Sequence, residues 1–182
     1  MPTNSNLQIL LSQAVAEILR QGADLLGAID DGLYTKAGTN VYTEGGAVGG
    51  HFRHCLEFVN CFLTGIENGR VDYDKRARNH QLETCREYAI AEFTRTIQVL
   101  ENLRLFETGN ALLVKPEDIA GDEDYWCASS IERELEFLQS HTIHHYALIG
   151  FKLRTSGFAL PADFGVAPST VRFWKQKNSA AS

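Results

Sequence analysis

The feature that most narrows the folds open to this chain is the return of apolar residues every three to four positions through four long stretches. Leu7, Leu10, Leu11, Ala14, Val15, Ile18, Leu19, Leu25 and Leu26 place a first helix over residues 6–27, with Asn4 or Asn6 as its cap. The second runs over Val48–Glu67, where His51, His54, Cys55, Phe58, Cys61, Phe62 and Gly65 share one arc and Arg53, Glu57 and Asn60 take the other. Asn68-Gly69 ends it, as glycine commonly does after a helix. Tyr88, Ile90, Ala91, Phe93, Ile97 and Leu100 mark a third helix over Leu82–Leu103. The fourth is predicted over Tyr125–Thr155, capped within Asp122–Asp124 and closed by Ser156-Gly157. Long amphipathic helices bury their apolar stripes against one another, so the pattern predicts an all-α bundle.

The connections carry less regular signals. Residues 30–46 mix Asp, Gly, Thr and Asn and read as a loop, with Gly45-Gly46 and Gly49-Gly50 bracketing the approach to the first histidines. Residues 70–79 alternate charges of both signs, which predicts an ordered loop laced with ion pairs. Beyond Glu101 the helical period fades, and Thr108-Gly109-Asn110 between Leu105-Phe106 and Leu112-Leu113-Val114 suggests a short hairpin. In the tail, Ser169 to Trp174 has enough apolar area to pack back on the bundle.

A length of 182 residues, without internal repeat or boundary signal, fits one domain. The net charge of −6 and scattered Lys and Arg argue against a nucleic-acid-binding surface, which carries a basic patch or stripe. No apolar run approaches the ~18 residues of a membrane span, and the first residues lack the basic flank and apolar run of a secretory signal. The expected place is the cytoplasm. Cys55, Cys61, Cys85 and Cys127 show no CxxC spacing, which predicts reduced core thiols. The glycine-rich run 45–50 lacks the Lys-Ser/Thr of a phosphate loop.

Five of the six histidines fall in two segments, His51 and His54 early, His141, His144 and His145 late. At about 100° per residue, His141 and His145 lie one turn apart on one helical face and point at a shared space. Two imidazoles hold a divalent ion poorly, whereas three with an open position make a catalytic site, so the early helix has to supply a third. Both His51 and His54 lie on the apolar arc, and periodicity does not choose between them. His144 is turned about 60° from His141, a poorer direction for a ligand. Imidazole suits zinc, nickel, copper and ferrous iron alike. Glu134, two turns before His141 on the same face, is placed to orient an imidazole or to act as general base, or instead to pair with Lys152 or an arginine. Tyr73, Asp74 and Arg76 are candidates to close over a pocket. Set against these readings are a bundle with a structural ion or none, acting as a scaffold or stress protein, and a merely packed or pH-responsive histidine cluster.

The run Gly49-Gly50-His51-Phe52-Arg53-His54 on an early helix and His141-x-x-His144-His145 on a late one resemble the DinB-like superfamily of metal-dependent proteins. Asp72-Tyr73-Asp74-Lys75-Arg76 and Asp163 to Thr170 also look like segments of an uncharacterised branch of it, so the likeness covers most of the chain. The resemblance implies an up-down-down-up four-helix bundle, often dimeric, whose three ligands correspond to His54, His141 and His145 and take zinc, nickel or iron. Proteins of this fold include transferases and isomerases that use a low-molecular-weight thiol. A small-molecule substrate, activated as thiol or attacked by water, is therefore the expected partner.

Overall fold

The computed structural model describes residues 4–36, 46–103, 112–116 and 125–179. It is mostly helical, as the periodicity predicts. Four long helices form the bundle: α1 (Asn4–Ala28), α3 (Val48–Glu67), α5 (Arg86–Glu101) and α6 (Ile131–Thr155). Shorter helices α2 (Asp31–Thr35), α4 (Gln81–Thr84) and α7 (Pro168–Ser179) flank them. Helix α1 packs on α5 and α6, and α3 packs on α4, α5 and α6. At the centre Phe52 from α3 meets Phe93 of α5 edge-on at 5.6 Å and Tyr146 of α6 at 5.8 Å. All three rings are fully buried, and burying a phenylalanine of that kind is worth about 1.5–3 kcal/mol. Buried polar contacts set the registry between helices. Ser12 donates to the Leu100 carbonyl at 2.6 Å, and Gln8 donates to Glu132 at 2.7 Å.

The third predicted helix is interrupted. Cys85 is extended, with φ −119° and ψ 101°, and separates α4 from α5. The interruption lets α4 tuck beneath the start of α3, where the Tyr34 hydroxyl donates to the Leu82 carbonyl. A Cβ on Gly49 would lie 2.2 Å from the Glu83 carbonyl oxygen. Only a residue without a side chain permits that approach, so the glycine before the first histidine fixes where the first turn of α3 sits.

The fourth predicted helix starts later than its sequence suggests. Residues 122–124 lie outside the described residues, and the cap is Ser130, whose hydroxyl accepts from the Arg133 N–H. Upstream, Cys127–Ser129 forms a strand, β3, rather than a helical turn. It pairs antiparallel with β2 (Leu112–Val114), Leu113 opposite Ala128, and β2 pairs in parallel with β1 (Arg70–Val71). Of the hairpin expected after Glu101, Leu105-Phe106 and the turn lie outside the described residues. The second half is β2, paired with β1 and β3. The charged linker is ordered as predicted: a 3-10 turn over Tyr73–Lys75 follows β1, Asp72 accepts from the Asp74 N–H, and Lys75 pairs with Asp72 at 3.4 Å.

The tail corrects a further expectation. Helix α7 buries no residue, and Phe173 and Trp174 stand exposed. Phe164, upstream, packs the tail instead, stacked on Tyr146 at 5.1 Å with 10° between ring planes. The four cysteines are free thiols, but only Cys55 is buried in the core and Cys127 is exposed on β3. Among the described residues, no helix is long and apolar enough to cross a membrane.

Candidate metal centre

Helices α3 and α6 pack side by side, and their facing surfaces carry the histidines. His54 comes from the second turn of α3, and His141 and His145 come from successive turns near the middle of α6. Their ring centroids form a triangle of 5.0 Å (His54 to His141), 4.5 Å (His54 to His145) and 4.7 Å (His141 to His145). One nitrogen from each ring lies within 4.8 Å of the other two, a grouping that can hold a metal ion. Packing thus makes the choice that periodicity leaves open: His54 joins the late pair. His51 lies outside the triangle, its Nδ1 3.0 Å from Nδ1 of His145. His144 is exposed and edge-on to His145 at 5.3 Å, in keeping with its less favourable direction. His80 is not in the group and is 81% exposed.

Aromatic rings wall the triangle. Phe58, one turn beyond His54, stacks on His141 at 4.3 Å, and Phe137, one turn before His141, lies 5.4 Å from it. Tyr73 from the linker stacks on the Phe58 ring at 5.0 Å and contacts Phe137 at 5.5 Å. The Arg76 guanidinium lies 4.4 Å from the Phe58 centroid, and its Nη1 donates to the Tyr73 carbonyl. So Tyr73 and Arg76 do close over the site, whereas Asp74 is exposed. The sequence offered a usable signal for the walls, since Phe58 and Phe137 each sit four residues from a histidine of the triangle and helical geometry stacks such pairs.

This surround governs the charge on the imidazoles. Burial, reinforced by His141 and Arg76, pulls the pKa of His54 down to about 4. Burial, with His144 and Arg76 adding repulsion, brings His141 to about 4, and burial with the neighbouring imidazoles brings His145 to about 3. All three rings are neutral at pH 7, the form in which a ring nitrogen keeps a lone pair for an ion. In addition, Nε2 of His141 is buried without a hydrogen-bond partner. A buried ring nitrogen left unpaired costs about 1–3 kcal/mol unless something engages it. Three neutral imidazoles converging on one space, one with an unengaged nitrogen, are the kind of donor set that a divalent transition metal takes.

Glu134 does not enter the triangle. Its oxygens accept from the Tyr73 hydroxyl at 2.8 Å and the Ser129 hydroxyl at 2.6 Å, not from Lys152 or an arginine. Lys152 donates instead to the Gly46 carbonyl at 2.9 Å. The carboxylate therefore serves the site by anchoring the Tyr73 ring against Phe58. Behind the linker, a cavity of about 490 Å³ is lined by Cys61, Arg70, Asp72 and Arg76, among others, and Arg76 is the residue it shares with the walls of the histidine site.

No family model matches the chain. Over 110 residues it is 34% identical to FK506-binding protein 5 of Rhizopus delemar, a match covering 59% of this chain and 28% of that protein. The chain therefore spans less than a third of the length of this curated relative. No solved structure matches.

Proposed function

We propose that the protein is a DinB-like metalloenzyme that holds one divalent ion, zinc, nickel or iron, on His54, His141 and His145. The observation that carries the reading is the approach of one nitrogen from each of three half-buried, neutral imidazoles within 4.8 Å of one another. A divalent ion bound there would lower the pKa of a thiol or water in its open position and so supply a nucleophile at neutral pH. The chain's own residues do the rest. Phe58, Phe137 and Tyr73 exclude bulk water from one side of the triangle, and Glu134 holds the Tyr73 ring in place through its hydroxyl. Burial keeps the histidines deprotonated, with Arg76 adding to it at His54 and His141, and Arg76 places a fixed positive charge where an anionic substrate group would approach. The adjoining cavity, at about 490 Å³, has the size of a small-molecule site and a polar lining suited to a low-molecular-weight thiol. Three ligands rather than four among the described residues favour this reading over a structural ion, because a structural site is normally closed by a fourth protein ligand.

The experiment is metal analysis of the purified protein together with His141→Ala and His145→Ala. One divalent ion per chain in the wild type and a loss in both variants is expected. Equal metal content in all three defeats the assignment. Thiol-conjugation and hydrolysis assays on the loaded protein then separate the two reaction types, and a loaded protein inactive in both is the scaffold of the rival reading.

A further inference from the structure

We infer that His51 is a positioning residue: it accepts a hydrogen bond on Nδ1 from Nδ1–H of His145 and thereby turns the lone pair of His145 Nε2 toward the triangle. The inference rests on the three-histidine reading above and deepens it.

The argument begins with proton counting. The two Nδ1 atoms stand 3.0 Å apart, a hydrogen-bonding distance, so one of them carries the hydrogen and the other the lone pair. A neutral imidazole has one N–H in total. Were His51 the donor, His145 would keep its proton on Nε2 and have no lone pair to offer an ion. With His145 as the donor, its Nε2 is a bare acceptor. The contact thus couples the tautomer of a ligand to a neighbour that does not itself ligate. Metal-binding histidines commonly give their second N–H to an acceptor that fixes ring orientation and raises basicity. Here that acceptor is another imidazole.

The fold supports the assignment. His51 and His54 lie on one helix three residues apart, so α3 supplies one ligand and, a turn earlier, the group that orients another. His51 is outside the group of nitrogens that converge, which sets it apart from a fourth ligand. Its ring lies 5.3 Å from that of His145 with 47° between planes, a tilted approach rather than a stack. The position of His51 is itself constrained, since it occupies the first turn of α3, which Gly49 seats against the Glu83 carbonyl. Gly49 therefore acts on the metal site at one remove.

The test uses zinc and the full chain, comparing wild type with His51→Leu and His51→Asn. Leucine removes the acceptor, while asparagine returns an oxygen near the place of Nδ1. His51→Leu should lose about 10- to 100-fold in zinc affinity, the usual cost of removing such an outer partner, and His51→Asn should recover most of it. Two readouts guard against a merely structural effect. In the zinc-loaded wild type, ring 15N chemical shifts should show His145 protonated on Nδ1, a measurement that needs no variant to fold. With cobalt in place of zinc, the visible bands of His51→Leu should keep the wild-type energies, since the ligand set is unchanged. Unchanged zinc affinity in a folded His51→Leu, protonation of His145 on Nε2, or cobalt bands showing a lost nitrogen each overturn the role given to His51. A wild type that takes up neither zinc nor cobalt overturns the three-histidine reading instead, and this inference with it.

Discussion

Along α6, Glu134 and His141 are two turns apart, and the fold treats the polar groups around them differently. Both oxygens of the buried Glu134 carboxylate accept hydroxyl hydrogen bonds, from Tyr73 and Ser129. Around His141 three imidazoles crowd together with lowered pKa values, and its Nε2 has no partner. A buried polar network closed on itself specifies structure, whereas one with an unengaged nitrogen calls for a further group. The first cluster is thus complete in itself and the second is open to a metal ion, and Phe58 is wedged between them, stacked on Tyr73 and on His141.

The sharpest way to break the comparison is at that shared ring. Phe58→Ala removes a ring only 2% exposed and should cost about 3–5 kcal/mol, the range for phenylalanine truncation in a core. Urea unfolding measures it, and zinc affinity should fall together with stability. Loss of stability with zinc affinity intact would show that the two clusters are independent. Next in size is the response to metal itself. Zinc at 100 times its dissociation constant should stabilise the wild type by about 2.7 kcal/mol, from mass action, and raise the thermal midpoint. His145→Ala should show no such rise, and a rise of wild-type size in that variant would place the ion elsewhere.

Smaller again is the effect at the closed network. Glu134→Ala removes the acceptor of the Tyr73 and Ser129 hydroxyls and should cost about 1–3 kcal/mol, while the loaded variant still holds one zinc per chain. Complete loss of zinc from a folded Glu134→Ala would move Glu134 into the binding group and erase the contrast.

The same contrast explains what the chain reveals before it folds. His141 and His145 are legible because a one-turn spacing on a helix is a local property, and the four-helix bundle is legible because its apolar stripes repeat. The choice of His54 over His51 is not local: it depends on where α3 sits across α6, a packing between segments far apart in the chain. Strand β3 is hidden for a similar reason, since Cys127–Ser129 becomes a strand by pairing with β2 and nothing in its own residues requires it. The tail misleads differently. Phe173 and Trp174 advertise apolar area, but the Arg172, Lys175 and Lys177 around them leave α7 without a buried face, and Phe164 takes the available place against Tyr146.

Smallest near neutrality is the effect that tests the electrostatics of the open cluster in the metal-free protein. Burial lowers the pKa of His54 and His141 to about 4 and of His145 to about 3, whereas in the unfolded chain each titrates near 6.5. Between those values the unfolded chain binds more protons than the folded one, so stability rises with pH through that window and is lost as pH falls from 6.5 toward 4. Near neutrality the change is slight. By pH 6.5 each histidine contributes a loss of at most about 0.4 kcal/mol, the value for half-protonation of the unfolded form, and partial exposure reduces it. Urea unfolding of the metal-free protein at pH 7.5, 6.5 and 5.5 should therefore show a midpoint that drops slightly at first and then steeply. Substituting His54, His141 and His145 together by glutamine should flatten the curve. A metal-free protein whose stability is level from pH 7.5 to 5.5 would mean that the three rings are as well solvated folded as unfolded. The cluster would then be no more strained than the closed network around Glu134.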